Sequence, residues 1–224
     1  KPGQHQLWFS HAFSLKGLIF PGLLFLSAWL ILPYDPWISL HCHAIPHGEP
    51  KALRNILDNV EPFGHGVGVV VASLLVFLLH PNRWLTSLSV FSAGVGGGLL
   101  ADLLKLSVGR IRPRNFDFAT LDVHATFTNF LPILNGKSGS QSFPSAHAAT
   151  AFGMAVMLSS LYPRARWLFF LMAIMVMGHR LHSGAHYPSD ILAGAGLGWL
   201  VALFCIRFAV RFRFVTEENC PPTS

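Results

Sequence analysis

The stretch that decides the fold spans residues 186–210 and reads HYPSDILAGAGLGWLVALFCIRFAV. After Asp190 it continues as an apolar run with a single charged residue. A helix needs about 20 apolar residues to cross the hydrocarbon core of a bilayer. Gly194 and Gly198 have the G-x-x-x-G spacing that lets membrane helices pack closely. We therefore predict a membrane helix with a titratable pair, His186 and Asp190, at its entrance.

The rest of the chain has the same apolar character. Of its 224 residues, 52% are hydrophobic and only 12% are charged, and the mean hydropathy is +0.48. A soluble domain of this size carries about 25% charged residues, so the bilayer is the expected solvent. We predict an all-α fold, a six-transmembrane helix bundle forming one domain over residues 1–224. The six predicted spans cover about 15–32, 64–80, 84–107, 145–162, 165–180 and 190–210.

Basic residues predict the orientation of this bundle. Short connections and the C-terminal tail hold Arg83, Arg164, Arg166, Arg207, Arg211 and Arg213. Because such residues mark the cytoplasmic side, both termini are expected there and the segments 33–63, 108–144 and 181–189 outside. The small size of the chain favours a bacterial inner membrane with these segments in the periplasm. The basic cluster at about 105–114 lies at the outer side, contrary to the cytoplasmic preference of basic residues, and requires another explanation.

The positive charge does not indicate nucleic-acid binding. The net charge is +6 and the pI about 9.7, but nucleic-acid binding needs a basic face on a soluble fold, and the sequence shows none. The first outer segment contains a group that could be read as a metal site, namely His41, Cys42, His43 and His47. It lacks both carboxylates and a defined ligand spacing. We therefore expect no metal, no cofactor and no obligate protein partner.

Under this topology, four helix ends bring polar residues to one level of the membrane. They are Lys105, Arg112, Ser145, His147, Arg180, His186 and Asp190. Each has an ordinary explanation, such as snorkelling of Lys105 or helix capping by Ser145. It is improbable that all of these ordinary explanations are true at once for residues on one face of the membrane. Ionisable groups at membrane depth are functional candidates, and cations beside a helix N-terminus suit a phosphate.

Three motifs at these helix ends resemble those of the type-2 phosphatidic acid phosphatase superfamily. The first, K-x6-R-P, runs from Lys105 to Arg112-Pro113. The second, P-S-G-H, is present at 144–147 with Ala146 in place of glycine. The third, S-R-x5-H-x3-D, runs from 179 to 190 with His179 in place of serine. All three spacings are intact, and the resemblance covers about residues 60–210.

The resemblance implies a role for each matching residue. His186 would attack phosphorus and form a phosphohistidine, while Asp190 would hydrogen-bond its other ring nitrogen. His147 would protonate the leaving oxygen and then activate water. The phosphoryl oxygens would be held by Lys105, Arg112, Ser145, Ala146 and Arg180. His179 is a secondary candidate, which either contacts phosphate or turns toward another helix.

A site at the outer helix ends would act on the phosphate of a membrane lipid. Phosphatidic acid, phosphatidylglycerophosphate, undecaprenyl pyrophosphate and lipid A are candidate substrates. Arg110 lies within the first motif and Arg114 directly after it. Both are expected to read a second phosphate, which favours a pyrophosphate lipid or lipid A. The second outer loop would supply further contacts, from Phe116, Phe118, His124, Phe127 and Phe130. A lipid-to-lipid phosphotransferase remains the alternative, and a phospholipid transporter or binding protein a weaker one.

Overall fold

The structure, a computed structural model, describes residues 15–43, 51–80, 83–130 and 141–218 and is mostly helical. Each of the six predicted spans contains a helix. The α-helices are α1 (Leu15–Ile31), α2 (Asp35–His43), α3 (Lys51–Val60), α4 (Gly66–Leu79), α5 (Arg83–Lys105), α6 (Ala146–Leu161), α7 (Arg166–His182) and α8 (Pro188–Glu218). Two short strands, β1 (Val108–Arg110) and β2 (Phe127–Phe130), follow α5.

Several of these helices are long and apolar enough to cross a membrane. Among the described residues, three qualify individually, namely Gly17–Cys42, Trp84–Lys105 and Pro188–Arg211. A fourth span results if Arg54–Gly64 and Gly66–Leu79, which meet at a bend of 69°, count as one. With this length and composition, the chain is an integral membrane protein. Helix α6 is apolar but has only 16 residues.

Helix α6 is the centre of the bundle. Residues 148–160 of this helix are all buried, and it packs against α5, α7 and α8. The predicted small-residue spacing explains the close packing with α8: a Cβ added to Gly198 would lie 2.0 Å from the carbonyl oxygen of Ala149. A Cβ on Gly194 would lie 2.3 Å from the carbonyl oxygen of Ser145. The packing role predicted for these glycines is confirmed.

Helix α1 covers the other side of α8. The rings of Phe20 and Trp199 stack with centroids 5.3 Å apart, and a Cβ on Gly196 would lie 3.0 Å from the ring of Phe25. This packing holds the N-terminal part of the described chain against the helix that begins at the predicted active site. It therefore also fixes the position of α2, which follows α1 after a turn at Leu32–Tyr34.

Two parts of the sequence prediction need correction. The segment 33–63 is not a loop, because it contains α2, α3 and the 3₁₀ turn Glu61–Gly64. Helix α3 is strongly amphipathic, a pattern that favours a helix with one apolar face. The fold is also not purely α-helical, since β1 and β2 pair antiparallel with Val108 opposite Phe130 and Arg110 opposite Phe127. A three-residue strand next to a bulge has too little alternation to be recognised in a sequence.

Candidate active site

The three motifs converge in the structure. The backbone N–H of Ser145, before α6, donates to the carbonyl oxygen of Asp190 in α8 at 3.0 Å. The N–H of Arg114 donates to the carbonyl oxygen of Gly184, after α7, at 3.0 Å. Electrostatic interactions connect the side chains: His147 is influenced by Lys105, Arg180 and His186, and His186 by Lys105 and Arg112. The helix ends that the sequence placed at one level are therefore neighbours.

The tautomer of His186 follows from its hydrogen bond. Its Nδ1 lies 2.7 Å from the backbone carbonyl oxygen of Ser142, and the side chain is only 2% exposed. A carbonyl oxygen can only accept, so Nδ1 carries the proton in the neutral ring. The lone pair is then on Nε2. The structure therefore holds His186 in the tautomer whose Nε2 has a free lone pair, the state that a nucleophile would need.

Asp190 acts on this ring differently from the role that the resemblance implies. Its Oδ2 lies 3.8 Å from Nδ1 of His186, longer than a hydrogen bond. Oδ2 instead accepts from the Ser142 hydroxyl at 2.6 Å and from the Tyr187 N–H at 2.9 Å. Asp190 thus holds the residue whose carbonyl orients His186 and contributes its negative charge. The expected direct hydrogen bond is replaced by this arrangement through Ser142.

The surroundings of His186 keep the ring neutral. Burial lowers its pKa below the ordinary value, and although Asp190 opposes this shift, Lys105 and Arg112 add to it. An unperturbed histidine has a pKa of about 6.5, so His186 is unprotonated at neutral pH. A nucleophilic imidazole must be in this state.

His147, in the first turn of α6, faces an acidic residue that sequence reasoning missed. Its Nε2 lies 3.6 Å from Oε1 of Glu61, which belongs to the turn between α3 and α4. The same oxygen accepts a hydrogen bond from Nη1 of Arg180. The ring of His65 is 5.7 Å from that of His147, centroid to centroid. His147 therefore lies between a carboxylate and the cations of the site.

The basic side chains retain donors for an anion. Among the described residues, the buried Nε atoms of Arg112 and Arg180 have no hydrogen-bond partner. Burial, together with Arg114 and Arg180, lowers the pKa of Arg112, yet an arginine remains charged at neutral pH. Nζ of Lys105 donates to Asp102 at 2.9 Å. Unpaired buried donors are costly, and a phosphate oxygen is an acceptor that would satisfy those of the two arginines.

Ser145 is the N-cap of α6. Its Oγ accepts a 3.4 Å hydrogen bond from the N–H of Ala148, and its side chain is fully buried. The first N–H groups of a helix, here those of Ala146 and His147, have no acceptor within the helix. They also lie at the positive end of the helix dipole, which favours an anion. Both the capping role and the phosphate-binding role considered for this turn are compatible with this geometry.

Two secondary candidates take other positions. Arg110 does not face a substrate, because its guanidinium is fully buried and binds Asp35 and Asp190; its prediction as a phosphate contact was wrong. His179 turns toward α3, where its Nε2 lies 3.2 Å from Oδ1 of Asp58. This is the second of the two positions expected for it. Arg114 is exposed and acts electrostatically on Arg112 and Arg180, so it stays a candidate at the rim of the site.

The remaining expectations concern the outer segments. In the described parts of the chain, no group of three or more metal-ligating side chains occurs, and Nδ1 of His41 lies 2.7 Å from the carbonyl oxygen of Trp37. His47, residues 131–140 of the second outer loop and the side chain of Phe130 lie outside the described residues. Phe116 and Phe118 pack edge to face, with ring centroids 5.2 Å apart. Phe127 lies 4.7 Å from the Arg110 guanidinium.

Three residues of the site were not identified from the sequence, namely Asp35, Glu61 and Ser142. Asp35 was assigned to a loop after the first span, although a carboxylate next to a membrane span is itself a sign of function. Glu61 precedes a proline in a segment that has no recognisable motif. Ser142 acts through its backbone carbonyl and its hydroxyl, and neither role has a sequence pattern.

Comparison with known proteins identifies the family of this chain. The PAP2 superfamily profile matches residues 83–214. The lipid A 1-phosphatase of Rhizobium etli is 32% identical over 179 residues, 71% of this chain and 73% of that protein. The lipid A 4'-phosphatase of Bacteroides thetaiotaomicron is 33% identical over 155 residues, covering 63% and 65%.

A solved structure shares the fold. The transmembrane PAP2-type phosphatidylglycerolphosphate phosphatase from Bacillus subtilis superposes with a TM-score of 0.52 over 91% of this chain and 99% of that one, at 20% identity. The family match includes all three motifs found in the sequence. The resemblance drawn from those motifs is thus confirmed, and the chain belongs to the PAP2 superfamily.

Proposed function

We propose that this protein is a lipid phosphatase that hydrolyses a phosphomonoester or pyrophosphate on a membrane lipid through a phosphohistidine intermediate. The observation that carries the proposal is the geometry of His186, whose Nδ1 is held at 2.7 Å by the Ser142 carbonyl. Nε2 is thereby left as the nucleophile. The cations Lys105, Arg112 and Arg180 act on the same site, where they would balance the charge of a phosphate.

In the first step, the Nε2 lone pair of His186 attacks phosphorus and forms a P–N bond. The bond from phosphorus to the leaving oxygen breaks, and protonated His147 gives its proton to that oxygen. The ring of His186, now carrying both the phosphoryl group and the Nδ1 proton, is cationic. The carbonyl of Ser142 and the charge of Asp190 stabilise this cation.

In the second step, His147, now neutral, takes a proton from water as the water oxygen attacks phosphorus. The P–N bond breaks, inorganic phosphate leaves and neutral His186 is regenerated. Both steps use His147 in opposite protonation states, so each turnover returns it to its starting form. Acid–base assistance of this kind contributes about 10²–10⁴-fold to the rate. Side chains supply all of the charge in this scheme, without a metal or cofactor.

The proposed substrate is an envelope lipid with more than one phosphate, with lipid A as the first choice. The two lipid A phosphatases reported above resemble this chain over most of its length. Arg114, exposed beside Arg112, provides a cation for a second phosphate without entering the reacting centre. The tails of such a lipid would remain in the bilayer while the phosphate enters between the helix ends.

The finer topology is part of the same proposal. Residues 1–224 form one domain with six spans, both termini in the cytoplasm and the active site on the periplasmic side of a bacterial inner membrane. The basic loop residue Arg164, between α6 and α7 at the end opposite His147, supports this orientation. Helix α6 is short for a span, but its residues 148–160 are enclosed by other helices, so it need not match the thickness of the bilayer.

The test is phosphate release from a panel of phosphorylated lipids by purified protein. The wild type should release phosphate from at least one of them, and His186→Ala should reduce release by several orders of magnitude. His41→Ala is the matched control, because His41 is exposed and its described contacts, with the carbonyl oxygen and the ring of Trp37, lie within its own helix. Full turnover by His186→Ala in a folded protein would contradict the nucleophile assignment.

The alternative function, transfer of phosphate between lipids, is distinguished from hydrolysis by following a labelled phosphate group. With a donor labelled in its phosphate and with both water and a lipid acceptor present, hydrolysis yields labelled inorganic phosphate. A phosphotransferase would instead yield a labelled lipid product. A transporter or binding protein would give neither product, yet would still retain the labelled lipid.

A further inference from the structure

Arg110 is a charged group enclosed within the site, and phosphate binding does not explain it. Its side chain is fully buried. Nη1 donates to Oδ1 of Asp190 at 2.5 Å and to the hydroxyl of Ser189 at 2.9 Å. Nη2 donates to Oδ2 of Asp35 at 2.7 Å, and Nε to the hydroxyl of Thr126 at 3.1 Å. The guanidinium therefore links two aspartates that are far apart in the chain.

Asp35 comes from outside the segment that matches the family profile, which begins at residue 83. It lies in the first turn of α2 and is fully buried. Its Oδ1 accepts the backbone N–H of Ser189 at 3.0 Å, and its Oδ2 accepts the Ser189 hydroxyl. The N-terminal part of the described chain thus contacts the residue next to Asp190.

The charges of this cluster do not cancel. Every described hydrogen bond at the oxygens of Asp35 and Asp190 is accepted from a donor, as expected of two carboxylates. With one positive charge on Arg110, one negative charge then remains buried. Burial opposes the charge of Arg110, but Asp190 and Asp35 outweigh burial and raise its pKa above the ordinary value. Buried charges are costly unless they are paired. An excess negative charge is therefore retained beside the nucleophile, where it stabilises a cationic imidazole.

We propose that Asp35 and Arg110 are positioning residues that set the strength with which Asp190 acts on His186. Asp35 shares the guanidinium with Asp190, so Asp190 is only partly neutralised by Arg110 and keeps charge for the imidazole. Neither residue touches the reacting phosphate. The proposal rests on the proposed function, because it concerns the nucleophile of that reaction.

The other charged groups that face His186 define the background of this effect. Asp190 of α8 lies 3.8 Å from Nδ1. Opposing positive charge comes from Lys105 of α5 and Arg112 after β1. His147 of α6 adds a titratable ring. Asp35 acts on the ring from a greater distance, through Arg110. Its effect is therefore expected to be smaller than that of Asp190.

The experiment compares two single variants with their combination. The net charge of the cluster is −1 in the wild type, 0 in Asp35→Asn, −2 in Arg110→Gln and −1 in the double variant. Less negative charge favours the neutral imidazole, so the acidic limb of kcat/KM should move to lower pH in Asp35→Asn. It should move to higher pH in Arg110→Gln and return toward the wild-type position in the double variant.

The expected size is modest. A directly adjacent charge shifts a pKa by roughly 1–3. Asp35 acts through Arg110 from a greater distance, so the acidic limb should move by about 0.5 in pH. The kcat of Asp35→Asn should fall about tenfold, as for other residues that orient a reacting group, with KM within about twofold of the wild type. A merely structural role would lower activity at every pH and leave the limb in place.

Folding is checked independently. Asp35→Asn is nearly isosteric and removes the excess buried charge, so this variant should fold even if Arg110→Gln does not. The titration of His186 can then be followed by NMR of isotope-labelled histidine in the wild type and in Asp35→Asn, with His186→Ala to assign the signal. Unchanged titration of His186 in Asp35→Asn would overturn the inference. Absence of phosphate release by the wild type from every lipid would instead contradict the proposed function.

Discussion

At the scale of single residues, the site depends on a neutral acceptor, the carbonyl oxygen of Ser142. It fixes the proton on Nδ1 of His186 without adding charge. Asp190 supplies the charge from 3.8 Å and binds the hydroxyl of the same serine. Ser142 thus orients the proposed nucleophile and Asp190 stabilises it electrostatically, while a hydrogen bond joins these two residues.

The protonation of His186 leads to a pH prediction. The reaction needs the neutral ring, so kcat/KM falls as the pH drops through the pKa of His186. Because burial places that pKa below its ordinary value, the half-point of the acidic limb should lie below about 6.5. The measurement is kcat/KM against pH, corrected for the substrate phosphate, whose second pKa is about 6. A half-point above 6.5 after this correction would contradict the assignment.

The sequence could predict which motif residues lie together at the helix ends, but not the groups that hold them. Lys105, Arg112, His147 and His186 were identifiable because motif spacing and span boundaries place them at helix ends. Glu61 contacts Arg180, which is 119 positions away, and Asp35 contacts Arg110, which is 75 away. Such pairs depend on how helices pack, and a single sequence carries no local signal for that packing.

At the scale of the elements, the turn between α3 and α4 brings a carboxylate into the proposed phosphate site. Glu61 binds Arg180 and lies 3.6 Å from Nε2 of His147. The last turn of helix α3 is itself held in place, because Oδ1 of Asp58 lies 3.2 Å from Nε2 of His179. In the unliganded protein, the Glu61 carboxylate therefore takes a place among the cations that an anionic substrate would also need.

Glu61→Gln should strengthen the binding of a free anion, because the neutral amide competes less for Arg180. A partly exposed ion pair is worth about 0.2–1 kcal/mol, so the inhibition constant of orthovanadate should fall by up to about fivefold. The measurement is vanadate inhibition of phosphate release. Asp58→Asn is the matched control, since it changes a carboxylate of the same segment that contacts His179 and not Arg180. Weaker inhibition of Glu61→Gln would show that the carboxylate supports the anion site and does not compete with it.

The crossing of α6 and α8 yields a stability prediction. In Gly198→Ala, the new methyl group would lie 2.0 Å from the Ala149 carbonyl oxygen, so the helices must separate. Overpacking of this kind costs about 1–3 kcal/mol, and Tm in detergent should fall. Gly22→Ala is the control, because a Cβ there meets nothing within 4 Å. Alanine is the better helix former by about 1 kcal/mol, so the Tm of the control should not fall. Equal Tm changes in both variants would contradict the close approach.

The helices themselves were predictable because an apolar run of the right length has few alternatives in a membrane. For example, the spans predicted at 84–107 and 145–162 correspond to the helices Arg83–Lys105 and Ala146–Leu161. The amphipathic segment Lys51–Val60 is too polar to be recognised as a span, so it was assigned to a loop. Strands β1 and β2 form around Arg110, and this residue gains its partners only in the folded protein.

At the scale of the whole molecule, the proposed orientation is testable by chemical labelling. Thr120 and Arg164 are both exposed and are proposed to lie on opposite sides of the membrane. In a protein whose native cysteines are replaced by serine, Thr120→Cys should react with a membrane-impermeant maleimide in intact spheroplasts. Arg164→Cys should react only after lysis. The reverse pattern would place the active site in the cytoplasm.

The enclosed position of α6 has a consequence for how the protein responds to its lipid environment. A helix whose residues 148–160 are buried inside the protein experiences little hydrophobic mismatch of its own, whereas the outer helices must tilt or stretch when the bilayer becomes thinner or thicker. His147, the proposed acid–base residue, lies in the first turn of this shielded helix, and Ser145 caps it. Changes in acyl-chain length should therefore alter the lifetime of the folded protein more than its turnover.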